Sequence, residues 1–173
     1  MDGLGKIATL SMEGDRELTL LLEDEGDQTR PQVSPDGRWM AYMSDESGRF
    51  EIYIRPFPDV NNGKWQVSRG GGTEPIWSRD GSELFYRSGD AIMVVSVKTE
   101  PSISLETPKM LFRGERVYIS NAFFTYWDIH PDGNRFLMIK DPISGVPREG
   151  RSGRTINIVL NWFEELKQRV PVE

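Results

Sequence analysis

His130 is the only histidine in the chain, and there is no cysteine. Without cysteine there can be no disulfide, thiolate metal site or cysteine nucleophile. A Ser-His-Asp hydrolase needs its histidine between an acid and a nucleophile. His130 instead stands in "IHPDGNRF", just before a turn, at the place held by Ser34 and Ser78 in two related segments. It reads as a turn residue. Asp36, Asp80 and Asp132 raise the question of calcium. Calcium loops gather several oxygen ligands at close spacing, whereas each of these turns supplies one carboxylate. Asp128 adds a second near Asp132, but His130 and Pro131 lie between them. The aspartates read as Asx-type turn caps. "RGGGTE" from Arg69 has the glycines of a phosphate loop but lacks the Gly-Lys-Ser/Thr that must follow, and a strand-like Pro-Ile-Trp comes next. The sequence therefore predicts no catalytic centre, metal or cofactor.

Charged and aromatic residues near the starts of three short segments are the better candidates. "RPQVS", "EPIWS" and "YWDIH" place Arg30, Glu74 and Asp128 there, with Trp127 beside the last. If these segments surround a common axis, such side chains can face a channel or a ligand. "NAFFTYWDI" is unusually aromatic, and alternate residues of a strand face opposite ways, so Phe123, Phe124, Tyr126 and Trp127 cannot all enter one core. Some pack between sheets, and others can reach a channel mouth or a partner.

The elements that would hold these residues follow from a repeat. "VSPDGRWMAYMSD", "WSRDGSELFYRSG" and "IHPDGNRFLMIKD" share a turn, and their aspartates stand 44 and 52 residues apart. That period fits a four-stranded propeller blade. Pro35 or Pro131 presets φ, Asp caps backbone N–H groups, and Gly takes the left-handed position. Before each turn stands one inward apolar residue, Val33, Trp77 or Ile129. After it, Met40 and Tyr42 match Leu84 and Tyr86, then Phe136 and Met138, in the period-two alternation of a strand. "EIYIRPF" and "AIMVVSV" read as third strands, "KWQVS" and "KMLF" as outer fourth strands, and "SRGGGTEP" as the link between units.

The expected organisation is a single all-β half-propeller over 1–173. Residues 1–29 hold outer strands, "KIATLSM" and "ELTLLLED", of a preceding or partner blade. Residues 30–70 and 71–114 form full blades. Residues 115–160 form a three-stranded blade with "TINIVL" as its third strand, reached through the arginine-bearing loop "DPISGVPREGRSGR". Over 161–173, Asn161 with Glu164 as a capping box and Pro171 as a stop predict a short helix docked by Trp162 and Phe163.

Composition narrows the setting. The 173 residues are 37% hydrophobic and 28% charged, with a net charge of -6. No Lys/Arg cluster offers the basic face of a nucleic-acid binder. No run approaches the roughly 20 apolar residues that span a bilayer, and "MDGLGKIATLSMEGD" has no signal-peptide core. A cytoplasmic location, or a segment of a longer periplasmic or extracellular parent, is the expectation.

"RPQVSPDGRWMAYMSDESGRFEIYIRPF" and "TEPIWSRDGSELFYRSG" resemble the bacterial TolB-type, WD40-like propeller repeats. The closing "INIVLNWFEELKQRVP" resembles the end of the propeller region attached to some bacterial serine/threonine protein kinases. The resemblance covers nearly the whole chain and implies a protein-binding or sensing role. The chain departs from it at His130 and in holding about half of a six- or seven-bladed ring. It carries neither a kinase signature nor the G-x-S-x-G elbow of the hydrolases that accompany similar propellers.

Propellers avoid open edges by closing radially. Two chains related by a two-fold axis would give about six blades, with "ELTLLLED" of one completing the three-stranded blade of the other. The expectation is therefore a non-catalytic module that binds a protein, peptide or other ligand and closes as a homodimer. The alternatives are a hydrolase or lyase with its site in the channel, and a gene fragment without a dedicated function.

Overall fold

The computed structural model describes residues 5–113, 125 and 127–139, all within one compact unit, Met1–Pro142. The expectations for "TINIVL", the arginine-bearing loop, the C-terminal helix and residues Phe123, Phe124 and Tyr126 fall outside them. The described residues form strands and no helix, and thus no helix long and apolar enough to cross a membrane.

The first full sheet is a four-stranded antiparallel meander of β3 (Gln28–Val33), β4 (Trp39–Ser44), β5 (Glu51–Pro56) and β6 (Trp65–Gln66). The second follows with β7 (Thr73–Trp77), β8 (Glu83–Ser88) and β9 (Ala91–Lys98). Its outer position is shared by β10 (Ser104–Leu105) and β11 (Lys109–Arg113), both paired to β9. The sequence predicts only the "KMLF" strand there. A pair formed by β12 (Trp127–Ile129) and β13 (Phe136–Met138) begins a third sheet. At the other end β1 (Ala8–Leu10) and β2 (Leu18–Leu20) pair with each other as a hairpin. The architecture is a partial propeller of antiparallel blades.

Alternation along each strand decides what packs where. Ala41 and Met43 of β4 join Leu84 and Tyr86 of β8 in the core between the first and second sheets. On the opposite face of the first sheet, Met40, Tyr42 and Tyr53 pack on Ile7 and Leu22. Phe85 and Ile92 turn from the second sheet toward Trp127 and, beside it, Phe136 and Met138. The three matched pairs, Met40/Tyr42, Leu84/Tyr86 and Phe136/Met138, therefore all face the blade before them. Burial on both faces explains why β4 and β5 read as nearly continuous apolar runs.

Each turn is held by its own side chains. Ser34 donates to Asp36 and its Oγ accepts from Trp39 N–H at 3.0 Å. Ser78 repeats this with Asp80 at 2.7 Å and Glu83 N–H at 2.9 Å. In the third turn His130 Nδ1 accepts from Asp132 N–H at 3.2 Å, and Asp132 accepts from Asn134 N–H at 2.9 Å. The link "SRGGGTEP" is organised by Glu51, whose side chain is 0% exposed. It accepts from Arg49 Nε at 2.8 Å, from Gly71 N–H at 3.0 Å and from the Ser68 hydroxyl. Gly72 lies so close to this cluster that a Cβ there would collide with the Ser68 side chain.

Candidate binding site at the inner strands

The inner strands β3 and β7 carry the same irregularity. Thr29 pairs with Met43 and Gln32 with Ala41, so β3 holds one residue more than β4 between those pairs. Thr73 pairs with Arg87 and Ile76 with Phe85, with the same excess. The extra residue falls at Arg30-Pro31 and at Glu74-Pro75. Arg30 has φ 57° and Glu74 φ 55°, left-handed values that cost a non-glycine residue roughly 1–2 kcal/mol. A bulge re-aims the side chain it carries, and proline tolerates such a position because it has no N–H to give to a ladder.

Aligning the turns on Asp36, Asp80 and Asp132 puts Thr29, Thr73 and Thr125 at one position, and Arg30, Glu74 and Tyr126 at the next. Sequence reasoning missed the repeated threonine, whose signal was its constant offset from each turn aspartate. It also grouped Asp128 with Arg30 and Glu74. The register corrects this: Asp128 matches Gln32 and Ile76, two positions further along.

Arg30 Nη1 donates to Thr125 Oγ1 at 2.6 Å. A contact over 95 residues of chain brings the start of the third inner strand to that of the first. Glu74 is 4% exposed, and Arg87, equally buried, holds its Nη1 3.8 Å from the carboxylate. The Glu74 N–H lies 3.3 Å from Met43 Sδ. Asp128 is exposed and caps the N–H of Ile129 at 2.8 Å. Trp127 is 4% exposed in the core with Phe85, Ile92 and Phe136. Its burial places it in the packing between sheets and away from an open channel. The structure thus brings Arg30 to the Thr125 strand and leaves Trp127 out of that group.

A cleft of about 900 Å³ lies between the second and third turns, lined among others by Trp77, Ser78, Asp80, Asp128, His130 and Asn134. Its aspartates Asp80, Asp128 and Asp132 are each engaged by a neighbour in the chain. Hydrogen bonding from Ser78 lowers the Asp80 pKa. The Asn134 N–H is foremost in bringing that of Asp132 down to about 2. The His130 ring has Arg135 Nη2 at 3.1 Å and Asp132 Oδ2 at 3.1 Å, contacts internal to its turn. Among the described residues no group of three or more His, Asp or Glu could hold a metal ion.

No family model matches the chain, and no curated protein does. Among solved structures, one from Agrobacterium tumefaciens described as TolB is similar at a TM-score of 0.46 and 19% identity, over 62% of this chain and 40% of its own. TolB from Acinetobacter baumannii is similar at a TM-score of 0.42 and 15% identity, over 82% of this chain and 44% of its own. The chain spans less than half the length of either. The propeller architecture rests on the sheets and their stacking.

Proposed function

We propose that the chain is a non-catalytic binding module whose recognition surface is the axial end of its inner strands. The observation that carries this is the left-handed bulge that holds the half-buried Arg30 against Thr125; its counterpart at Glu74 is buried beside Arg87. Positions that build the blade stay the same from repeat to repeat: the threonine before the bulge, and the aspartate and glycine of the turn. The bulge position does not. It is Arg30 and then Glu74, and the residue aligned with them in the third repeat of the sequence is Tyr126. A strained backbone that holds the half-buried Arg30 beside a threonine hydroxyl suits recognition, because strain persists where it serves a site. An arginine beside a threonine hydroxyl suits a carboxylate or a carbonyl of a peptide. The kinase-propeller resemblance adds the finer reading of a sensing or docking part of a longer parent.

The test is selection of a random peptide display library on the 173-residue chain, with Arg30→Ala in parallel. The expected result is an enriched set containing an acidic position, bound at least roughly tenfold more weakly by Arg30→Ala, the loss of one charge-assisted bond. Enrichment indifferent to Arg30→Ala, or no enrichment, overturns the reading. Turnover of ester, peptide or uronate substrates that is lost with Arg30→Ala would establish the channel enzyme in its place.

A further inference from the structure

The second and third turns stand apart where the first and second touch. A Cβ at Gly81 would lie 3.6 Å from Pro35 Cδ of the first turn, whereas one at the matching Gly133 of the third turn would meet nothing within 4 Å.

Two repeat positions account for the difference. Three residues before the turn aspartates stand Val33, Trp77 and Ile129, and three residues after them Trp39, Glu83 and Arg135. Between the first and second sheets, both places are filled by indoles. Trp39 packs on the core there. Trp77 is buried, and its Nε1 donates to the Gln32 carbonyl at 3.0 Å. Between the second and third sheets, the same two places hold Glu83 and Ile129. Alternation along β8 gives Glu83 the face of Phe85, which turns to the third sheet, while Leu84 and Tyr86 face the first. A carboxylate and a smaller aliphatic side chain thus stand where two indoles seal the preceding interface, and the cleft of about 900 Å³ opens between them.

The lining decides what can fill it. Ile76 and Ile129 provide apolar wall. Four carboxylates, Asp80, Glu83, Asp128 and Asp132, face one guanidinium, that of Arg79. Three of the four are held. Asp80 accepts from Ser78 and Ser82, Asp128 from Ile129 N–H, and Asp132 from Asn134 N–H and Arg135. Glu83 differs. It is half-buried, its backbone is paired to Ser78, and its carboxylate has no hydrogen bond or ion pair among the described residues. A carboxylate partly removed from water without a partner is raised in free energy until a donor or a cation pairs with it. The donors are too dispersed for a metal ion: among the described residues no three His, Asp or Glu form such a group.

We infer that this cleft binds the arginine side chain of an extended peptide. The guanidinium pairs with Glu83 as a planar fork pairs with a carboxylate, and its methylene stem lies along Ile76 and Ile129. Asp80, Asp128 and Asp132 add negative potential without leaving their own bonds, and the same field refuses an acidic side chain. Lysine fits less well, because a point charge makes no paired contact with the carboxylate. The site is separate from the surface around Arg30 and of opposite charge preference. Glu74 stands near the start of β7, and the cleft lies beyond the end of that strand.

The experiment is an NMR titration of the full chain, with labelled isoleucine methyl groups. The probes are acetylated and amidated Gly-Ser-Arg-Ser-Gly and the same peptide with citrulline or glutamate in place of arginine. The expected result is saturable shifts at the Ile76 and Ile129 methyl groups with the arginine peptide. The citrulline peptide, which keeps the shape and loses the charge, is expected to bind at least roughly tenfold more weakly, and the glutamate peptide not at all. Glu83→Gln keeps the volume and is expected to weaken the arginine peptide by the same factor, with the methyl spectrum of the free chain otherwise unchanged. Glu83→Trp, which gives this interface the side chain that Trp39 gives the one before it, is expected to abolish binding. Arg30→Ala is expected to leave binding as it was, which separates this site from the one at the inner-strand bulges. No saturable shift at Ile76 and Ile129, equal binding of the citrulline peptide, indifference to Glu83→Gln, or loss of binding with Arg30→Ala overturns the proposal.

Discussion

Glu51→Ala tests how much of the blade-to-blade link depends on one carboxylate. The side chain is fully buried and accepts from three donors: Arg49 Nε, the Ser68 hydroxyl and Gly71 N–H. The donors do not lose equally. Arg49 is 64% exposed and turns to water at little cost. Ser68 is 1% exposed, so its hydroxyl is left facing a cavity, which costs about 1–3 kcal/mol. The half-buried Gly71 amide adds about 1 kcal/mol. The expected loss is therefore about 2–4 kcal/mol. Glu51→Gln keeps the volume and one carbonyl acceptor, but its amide N–H₂ opposes donors, and it should lose about half as much. Urea unfolding, followed by tryptophan fluorescence at one fixed protein concentration, measures this as a shift in midpoint at constant slope. Combining Glu51→Ala with Ser68→Ala should recover about 1 kcal/mol of coupling, because the two share a bond. A loss for Glu51→Ala below about 1 kcal/mol, or strict additivity with Ser68→Ala, would refute the account of this link.

Three further outcomes are expected. Ser78→Ala removes the acceptor for Glu83 N–H and the donor to Asp80. It should cost about 1–2 kcal/mol in the same urea assay, and a neutral result would show that the turn holds without its serine. In acid, hydrogen bonds keep Asp36, Asp80 and Asp132 ionised below the usual carboxylate range, from Ser34 and Ser78 in the first two cases and from Asn134 N–H in the third. Groups with lowered folded pKa values stabilise the fold above about pH 4 and lose that contribution as pH falls, for Asp132 down to about 2. Asp132→Asn should flatten this part of the stability curve, measured as urea midpoint against pH. In alkali, burial raises Tyr42 and Tyr86 to about 12. Their neutral forms stabilise the fold fully below pH 10, and that contribution is lost between pH 10 and 12. A spectrophotometric titration should show Tyr42 and Tyr86 ionising late, near 12, with Tyr53 also raised by burial, and Tyr42→Phe should remove one tyrosine from the late phase.

What the sequence made legible was the part written locally. A turn needs its Ser, Asp and Gly within a few residues, and a strand shows its faces by alternation. Both could be read at Asp36, Asp80 and Asp132 without a partner in view, and the matched pairs Met40/Tyr42, Leu84/Tyr86 and Phe136/Met138 do share one orientation. The bulges were half visible. A proline inside a strand at Pro31 and again at Pro75 signals a bulge or an edge. Counting Asp128 from the strand start hid that its register is two residues off. Trp127 was ambiguous because aromatic content cannot tell a core between sheets from a channel mouth; only the approach of Phe85 and Ile92 decides it. The divided outer strand of the second blade depends on how β9 is extended enough to pair twice, a tertiary outcome with no local signature.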